Sequence, residues 1–326
     1  MFMCRGLKYY PPPNKTRHDY VKLIPVSIEK LKKLDQETLL LLKEVSIENI
    51  KTRLVKLSSY HTRHSKSECI NEAAEWLKNE FGSFGYDDVF FHNYIENIDG
   101  NDFSLKNVIC KKDGVKKKCI IICAHYDSRM RVLSDSVSRS PGANDNGSGV
   151  SAILEMARIL KKHKLNYGLQ FALFSGEEQG LLGSKHYARF VKTNNIDVYR
   201  LINLDMIGYP QLNLGIVIVE RDNHTDPAHN QVQENDQDSI EFGTIMAGMS
   251  SYTDLQISLD SIWNSDYEPF EADGCIVIGA YDGSADKHLN PHYHDTSDTS
   301  DLIDWNYLTS VTKMVLATVF KLARAP

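Results

Sequence analysis

The sequence predicts an α/β protein with a mostly parallel, mixed sheet covered by helices on both faces. Two observations carry this. Short apolar runs at 119–124, 169–174, 200–204, 215–219 and 275–280 alternate with stretches that place apolar residues at helical spacing. The runs are also mostly apolar rather than apolar at every second residue, the pattern of strands buried on both sides. In such sheets, ligands gather beyond the carboxyl ends of the strands.

Residues 1–45 differ in character from the rest of the chain. Pro11 to Pro13 precede a Lys- and Leu-rich stretch, which reads as an arm or cap. From Ser46 onward one domain, 46–326, is expected. Ile47, Ile50, Leu54 and Leu57 give a first helix, and Ile70, Ala73, Ala74, Leu77 and Phe81 a second. Residues 89–94, 106–110 and 119–124 read as strands, the last two joined by a Lys-rich hairpin turning at Asp113-Gly114. The Lys run 116–118 reads as a solvated turn. A helix face comes next at Val150, Ile153, Leu154, Ala157 and Leu160, then a strand at 169–174 and a helix over 180–191. Residues 220–238 are polar and read as a long surface loop. Leu308, Val311, Val315, Val319 and Leu322 define a closing helix.

The chain has 326 residues, 42% hydrophobic and 25% charged, with a net charge of −6. That composition is ordinary for a globular protein and implies no affinity for nucleic acid or anionic membrane. No apolar run is long enough to span a bilayer. The first residues lack the apolar stretch of a signal peptide, so a cytoplasmic location is expected if the start is genuine. Six cysteines show no CxxC spacing and read as free thiols.

Five polar segments fall at strand ends or in loops near them: 124–128 with His125 and Asp127, 141–149 with Asp145, 175–180 with Glu177 and Glu178, 203–208 with Asp205, and 290–299 with His292 and His294. Two adjacent glutamates after a buried strand repel each other and resist burial, and a cation relieves both costs. Two histidines with three or four carboxylates suit a divalent ion taking N and O ligands, and there are enough for two ions. Paired metals sit about 3.5–4 Å apart and need a bridging carboxylate. Asp145 is the best bridge, because glycines at 142 and 147 let the backbone fold tightly around it. Singly, each residue has an ordinary explanation: a hydrogen-bonded histidine, a turn or cap aspartate, a solvated glutamate pair. Their joint occurrence at matching strand ends points to a site. His61, His64, His92, His163, His186, His224, His229 and His288 read as surface or structural residues.

The ordered set His-Tyr-Asp-Ser, Pro-Gly-Ala-Asn-Asp-Asn-Gly-Ser-Gly, Gly-Glu-Glu, Asn-Leu-Asp-Met-Ile-Gly and His-Asp-Thr-Ser-Asp-Thr resembles the M28 family of co-catalytic zinc aminopeptidases, from about Leu57 to the last helix. The resemblance implies a zinc-exopeptidase (phosphorylase/hydrolase-like) fold and two Zn2+ per chain. His125 and Asp205 would hold one ion and Glu178 and His294 the other, with Asp145 bridging. Glu177 would be the general base and Asp127 would orient His125. The substrate would be a peptide with a free N-terminus. Similar proteins are often secreted. Residues 264–267 resemble a family Ser-Asp-His motif but carry Tyr267 where histidine is common.

Three alternatives stand beside the aminopeptidase. A glutaminyl cyclase resembles this fold but uses one zinc for a transferase reaction. A carboxypeptidase or dipeptidase of the same family would differ only in its loops. A binding module that had lost its metals would lack at least one ligand, and none is replaced here.

Overall fold

The structure is a computed structural model that describes residues 31, 33–210, 214–285 and 289–326. The Pro11–Pro13 turn, most of the arm and His288 lie outside the described residues. Among the described residues, eight strands form one mixed sheet in the order β1-β2-β4-β3-β5-β8-β6-β7. They are β1 (Val89–Ile98), β2 (Asn101–Lys112), β3 (Cys119–His125), β4 (Gly168–Phe174), β5 (Val198–Leu204), β6 (Ile216–Arg221), β7 (Gln256–Ser261) and β8 (Val277–Tyr281). Strands β4, β3, β5 and β8 are parallel neighbours at the centre. β2 joins β4, and β6 joins β8, antiparallel.

The central strands alternate their contacts between two apolar layers, as a pleated strand requires. Ile120, Ile122 and Ala124 of β3 face one core. There they meet α2 (Ile47–Ser58), α3 (Cys69–Ser83), α4 (Gly149–Leu160), α6 (Asp236–Gly248) and α8 (Trp305–Ala323). Ile121 and Cys123 face the other, covered by α5 (Leu182–Thr193) and the short α7 (Glu268–Glu271). α1 (Gln36–Leu42), inside the expected arm, adds Leu41 and Leu42 to the first core.

Helix ends follow local chemistry. The Ser46 hydroxyl accepts from the Asn49 N–H at 3.2 Å and starts α2. Asp304 accepts from the N–H groups of Asn306 and Tyr307, both at 3.0 Å, and starts α8.

Two expectations are corrected. Asp113-Gly114 is not a hairpin: β2 and β3 are separated by β4, and both pair with it. Gly114 is needed because a Cβ there would collide with the backbone of Tyr167 and Gly168. The true hairpin joins β1 to β2 through Asp99-Gly100, both at positive φ (54° and 86°), the two-residue turn that matches strand twist. Residues 220–238 are a surface loop only in part, with 225–228 exposed. β6 runs to Arg221, α6 begins at Asp236, and Asp222, His229, Asn230 and Asn235 between them are buried.

Candidate metal centre

The parallel strands deliver the polar segments to one edge. His125 ends β3 and lies in register with Phe174, the end of β4, so the turn at 175–178 begins beside it. Asp205 comes directly after the last residue of β5. The 142–148 turn brings Asp145 across these ends, and His294 comes from the segment between β8 and α8.

Ligand atoms of His125, Asp145 and Asp205 lie within 4.8 Å of one another, as do those of Asp145, Glu178 and His294. Asp145 belongs to both triads: its Oδ1 is 3.2 Å from His125 Nε2 and its Oδ2 is 2.9 Å from His294 Nε2. His125 Nε2 is also 3.4 Å from Asp205 Oδ1, and His294 Nε2 is 3.2 Å from Glu178 Oε2. Glu177 Oε2 stands 3.9 Å from His125 Nε2. His292 is drawn aside, its Nδ1 2.8 Å from the Ser297 hydroxyl. The structure thus brings together seven of the eight residues singled out in the sequence and leaves His292 out.

The donor set fits a borderline divalent cation. Glu178 Oε1 and His294 Nε2 are buried and make no hydrogen bond, although the His294 nitrogen is close to two carboxylates. Buried polar atoms left this way cost free energy unless something coordinates them.

Charge is correspondingly tense. Burial pushes Glu177 well above the ordinary carboxylate range, helped by the negative Glu178, Asp205 and Asp266, while His125 opposes. Burial also disfavours the His125 cation, but Glu177, Asp127, Asp145 and Asp205 outweigh it and raise its pKa. Burial likewise opposes ionisation of Asp145, yet the adjacent His125 and His294 imidazoles hold its carboxyl low. A bound metal would reverse the histidine shifts, since it needs neutral imidazoles.

The supporting residues are less visible in sequence. Asp127 accepts from the N–H of both Glu177 and Glu178 at 3.2 Å, and so fixes the turn carrying them. Its Oδ1 is 3.5 Å from His125 Nδ1, an electrostatic contact rather than a well-formed hydrogen bond. Asp298 accepts from the N–H groups of Asn144 and Asp145 at 3.0 and 3.1 Å. Arg63 donates to the carbonyls of Tyr126, Leu57, Pro141 and Gly142. At Gly142, φ is +49°, and a Cβ would strike Asp145 O, Ser128 and Arg63. The Ser265 hydroxyl donates to Asp205 Oδ2 at 2.6 Å, and Arg129 Nε to Glu178 Oε2 at 2.6 Å. Tyr267 does not enter the site. It is fully buried, and its hydroxyl donates to Glu220 and accepts from the Trp263 N–H.

The model of peptidase family M28 matches residues 107–319, nearly two thirds of the sequence and every one of these ligands. The chain belongs to peptidase family M28. This M28 chain is 31% identical over 190 residues to a probable zinc metalloprotease of Pyrenophora tritici-repentis, an alignment covering 53% of it and 39% of the relative. It thus spans about two fifths of the length of the first curated relatives it matches. Leucine aminopeptidase 1 of Ajellomyces dermatitidis is 28% identical over 301 residues, covering 89% of this chain and 74% of that protein. Among solved structures, the LapA aminopeptidase of Legionella pneumophila superposes with a TM-score of 0.73 at 23% identity, covering 93% of this chain and 79% of that one. A glutaminyl cyclase of Bacteroides thetaiotaomicron shares the fold too, with a TM-score of 0.66 at 21% identity and coverage of 85% and 98%. Among the described residues, no helix is long and apolar enough to cross a membrane.

Proposed function

We propose that this M28 chain is a zinc-dependent aminopeptidase that hydrolyses the N-terminal peptide bond of peptides with a free α-amine. The observation that carries the reading is the pair of ligand triads joined through Asp145, with a further carboxylate, Glu177, beside them.

His125 and Asp205 would hold one zinc, Glu178 and His294 the other, with Asp145 shared. The ions supply Lewis-acid polarisation of the scissile carbonyl and acidify water. Glu177 takes a proton from the attacking water and passes it to the departing amine. Asp127 holds the peptide backbone of Glu177 and Glu178, and so sets where that base stands. Arg129 and Ser265 each donate to a proposed ligand carboxylate and fix its orientation. The negative surplus of the site suits an incoming ammonium group.

The cyclase reading has one supporting observation, the shared fold. Metal content separates the two: about two zinc per chain is expected for the peptidase and one for the cyclase. Glu177→Gln is expected to lower turnover by about 10²-fold or more with zinc content unchanged; full turnover in that variant would remove Glu177 from its role. Amino-acid p-nitroanilides should be cleaved and N-blocked peptides spared. Cleavage of blocked peptides would shift the reading to a carboxypeptidase or endopeptidase.

A further inference from the structure

A second cluster of acids lies at the opposite edge of the sheet. β6 runs antiparallel to β8, so its last residue, Arg221, pairs with Ile278 near the start of β8, away from the catalytic edge. Asp222 comes next. Its N–H donates to the Ser239 hydroxyl at 2.7 Å, its side chain is fully buried, and neither carboxylate oxygen has a hydrogen-bond partner. Such a carboxylate is among the most costly groups a fold can bury.

Three other buried side chains with unpartnered oxygens stand on the neighbouring segments. Glu271, also fully buried, uses Oε1 to accept from the N–H groups of Gln231 and Val232 at 2.7 and 2.6 Å, while Oε2 has no partner. The Asn230 amide nitrogen donates to Asp236 and the Asn235 amide nitrogen to the Cys275 carbonyl. Those donors fix both amide orientations, and each Oδ1 is buried without a partner. The negative charges of Glu271 and Asp236 bear on Asp222, second only to burial in pushing its carboxyl up to about 8. Five buried oxygens, all lone-pair donors, therefore collect around segment 230–236 with no hydrogen to accept.

We propose that Asp222 and Glu271, with the amide oxygens of Asn230 and Asn235, form a structural site for a hard divalent cation of the calcium class. The donors are all oxygen, which selects against zinc and for calcium or magnesium. Triads of carboxylate or imidazole atoms within 4.8 Å occur, among the described residues, only at the catalytic edge. The ion is therefore held by two carboxylates, which neutralise it, with amide oxygens and water completing a shell of about six to eight ligands. Such mixed, irregular shells favour calcium over magnesium, which demands a tighter octahedron. The ion ties the exit of β6 to the start of α6 and the end of α7.

The test is calcium titration of the zinc-loaded protein, read by calorimetry and by thermal unfolding, with magnesium as comparison. One additional calcium-binding event and a calcium-dependent rise in Tm are expected, with magnesium weaker. Asp222→Asn and, separately, Glu271→Gln should abolish both responses while leaving peptide turnover at 25 °C unchanged. Without calcium, Asp222→Asn should melt no lower than the wild type, because the amide is neutral without having to take up a proton. Absence of any calcium response in the wild type overturns the proposal, as does a response that survives in both variants. Should one variant fail to fold, a calcium response retained by the other overturns the proposal equally.

Discussion

Arg63 carries a positive charge into the interior and spends its donors on four carbonyls of three separate segments. Burial lowers its pKa to about 10, with Asp298 and Asp127 opposing, so it stays charged at neutral pH. Arg63→Met leaves those carbonyls buried without donors and is expected to cost about 3–5 kcal/mol, read by denaturant unfolding. Arg63→Lys should recover only part, since an ammonium cannot serve the same fork. At this scale the sequence was most informative about the proposed ligands and base. His125, Asp145, Glu177, Glu178, Asp205 and His294 stand in short polar segments beside apolar runs, and strand-end geometry makes such residues meet. Arg63 and Asp298 gave little signal, because each acts on backbone atoms brought together only by the fold. Tyr267 stands in the segment that resembles a site motif, but its hydroxyl is committed to Glu220 and Trp263.

Elements with a strong period were legible. α2, α3, α4 and α8 follow the apolar spacing, and the central strands follow their apolar runs. α6 was not, because its buried face mixes Ser239 and Gly243 with Phe242 and Met246, small residues that leave no apolar stripe. The misread hairpin at Asp113-Gly114 has a similar origin: a glycine required for close approach looks in sequence like a glycine required for a turn. The two uses predict different outcomes. Ala at a turn position without positive φ would be mild, whereas Gly114→Ala must displace the backbone of Tyr167 and Gly168 at the start of β4. A loss of about 1–3 kcal/mol is expected by chemical denaturation. Asp99-Gly100, a strong turn signal, marks the hairpin that the structure contains.

Across the whole molecule, buried ionisable groups give stability a direction with pH. Asp282 and Asp298 are held up to about 7 and Asp222 to about 8, mainly by burial. Each is protonated in the folded protein where the unfolded chain has already ionised. Their contribution is complete below about pH 4 and is lost as pH rises toward 7 or 8. His125 and His294, raised by neighbouring carboxylates against the effect of burial, act in the same sense: their contribution is present below about pH 6.5 and lost above. Asp145 and Glu178, held low despite burial, act oppositely and lose their contribution in acid. The metal-free protein is therefore expected to be most stable on the acid side of neutrality and to weaken toward pH 8. Zinc needs neutral imidazoles and ionised carboxylates, so loading should release protons and move the optimum upward. Tm measured across pH 5–9 with and without zinc checks both statements. An unchanged optimum on loading would contradict the ligand assignment.

The closing helix α8 has a consequence in time. It is buried along most of its length, and Leu308, Val311, Val315 and Val319 fill the same layer as Ile120 of β3 and Ile153 of α4. During synthesis that layer stays open until residues near 323 have left the ribosome. The proposed metal cluster, drawn from positions 125 to 294, rests on strands that α8 covers only after all of them have been made. A nascent chain can thus carry every proposed ligand and still lack the packed sheet that aims them at one another, so the proposed site is expected to assemble only once α8 has been made.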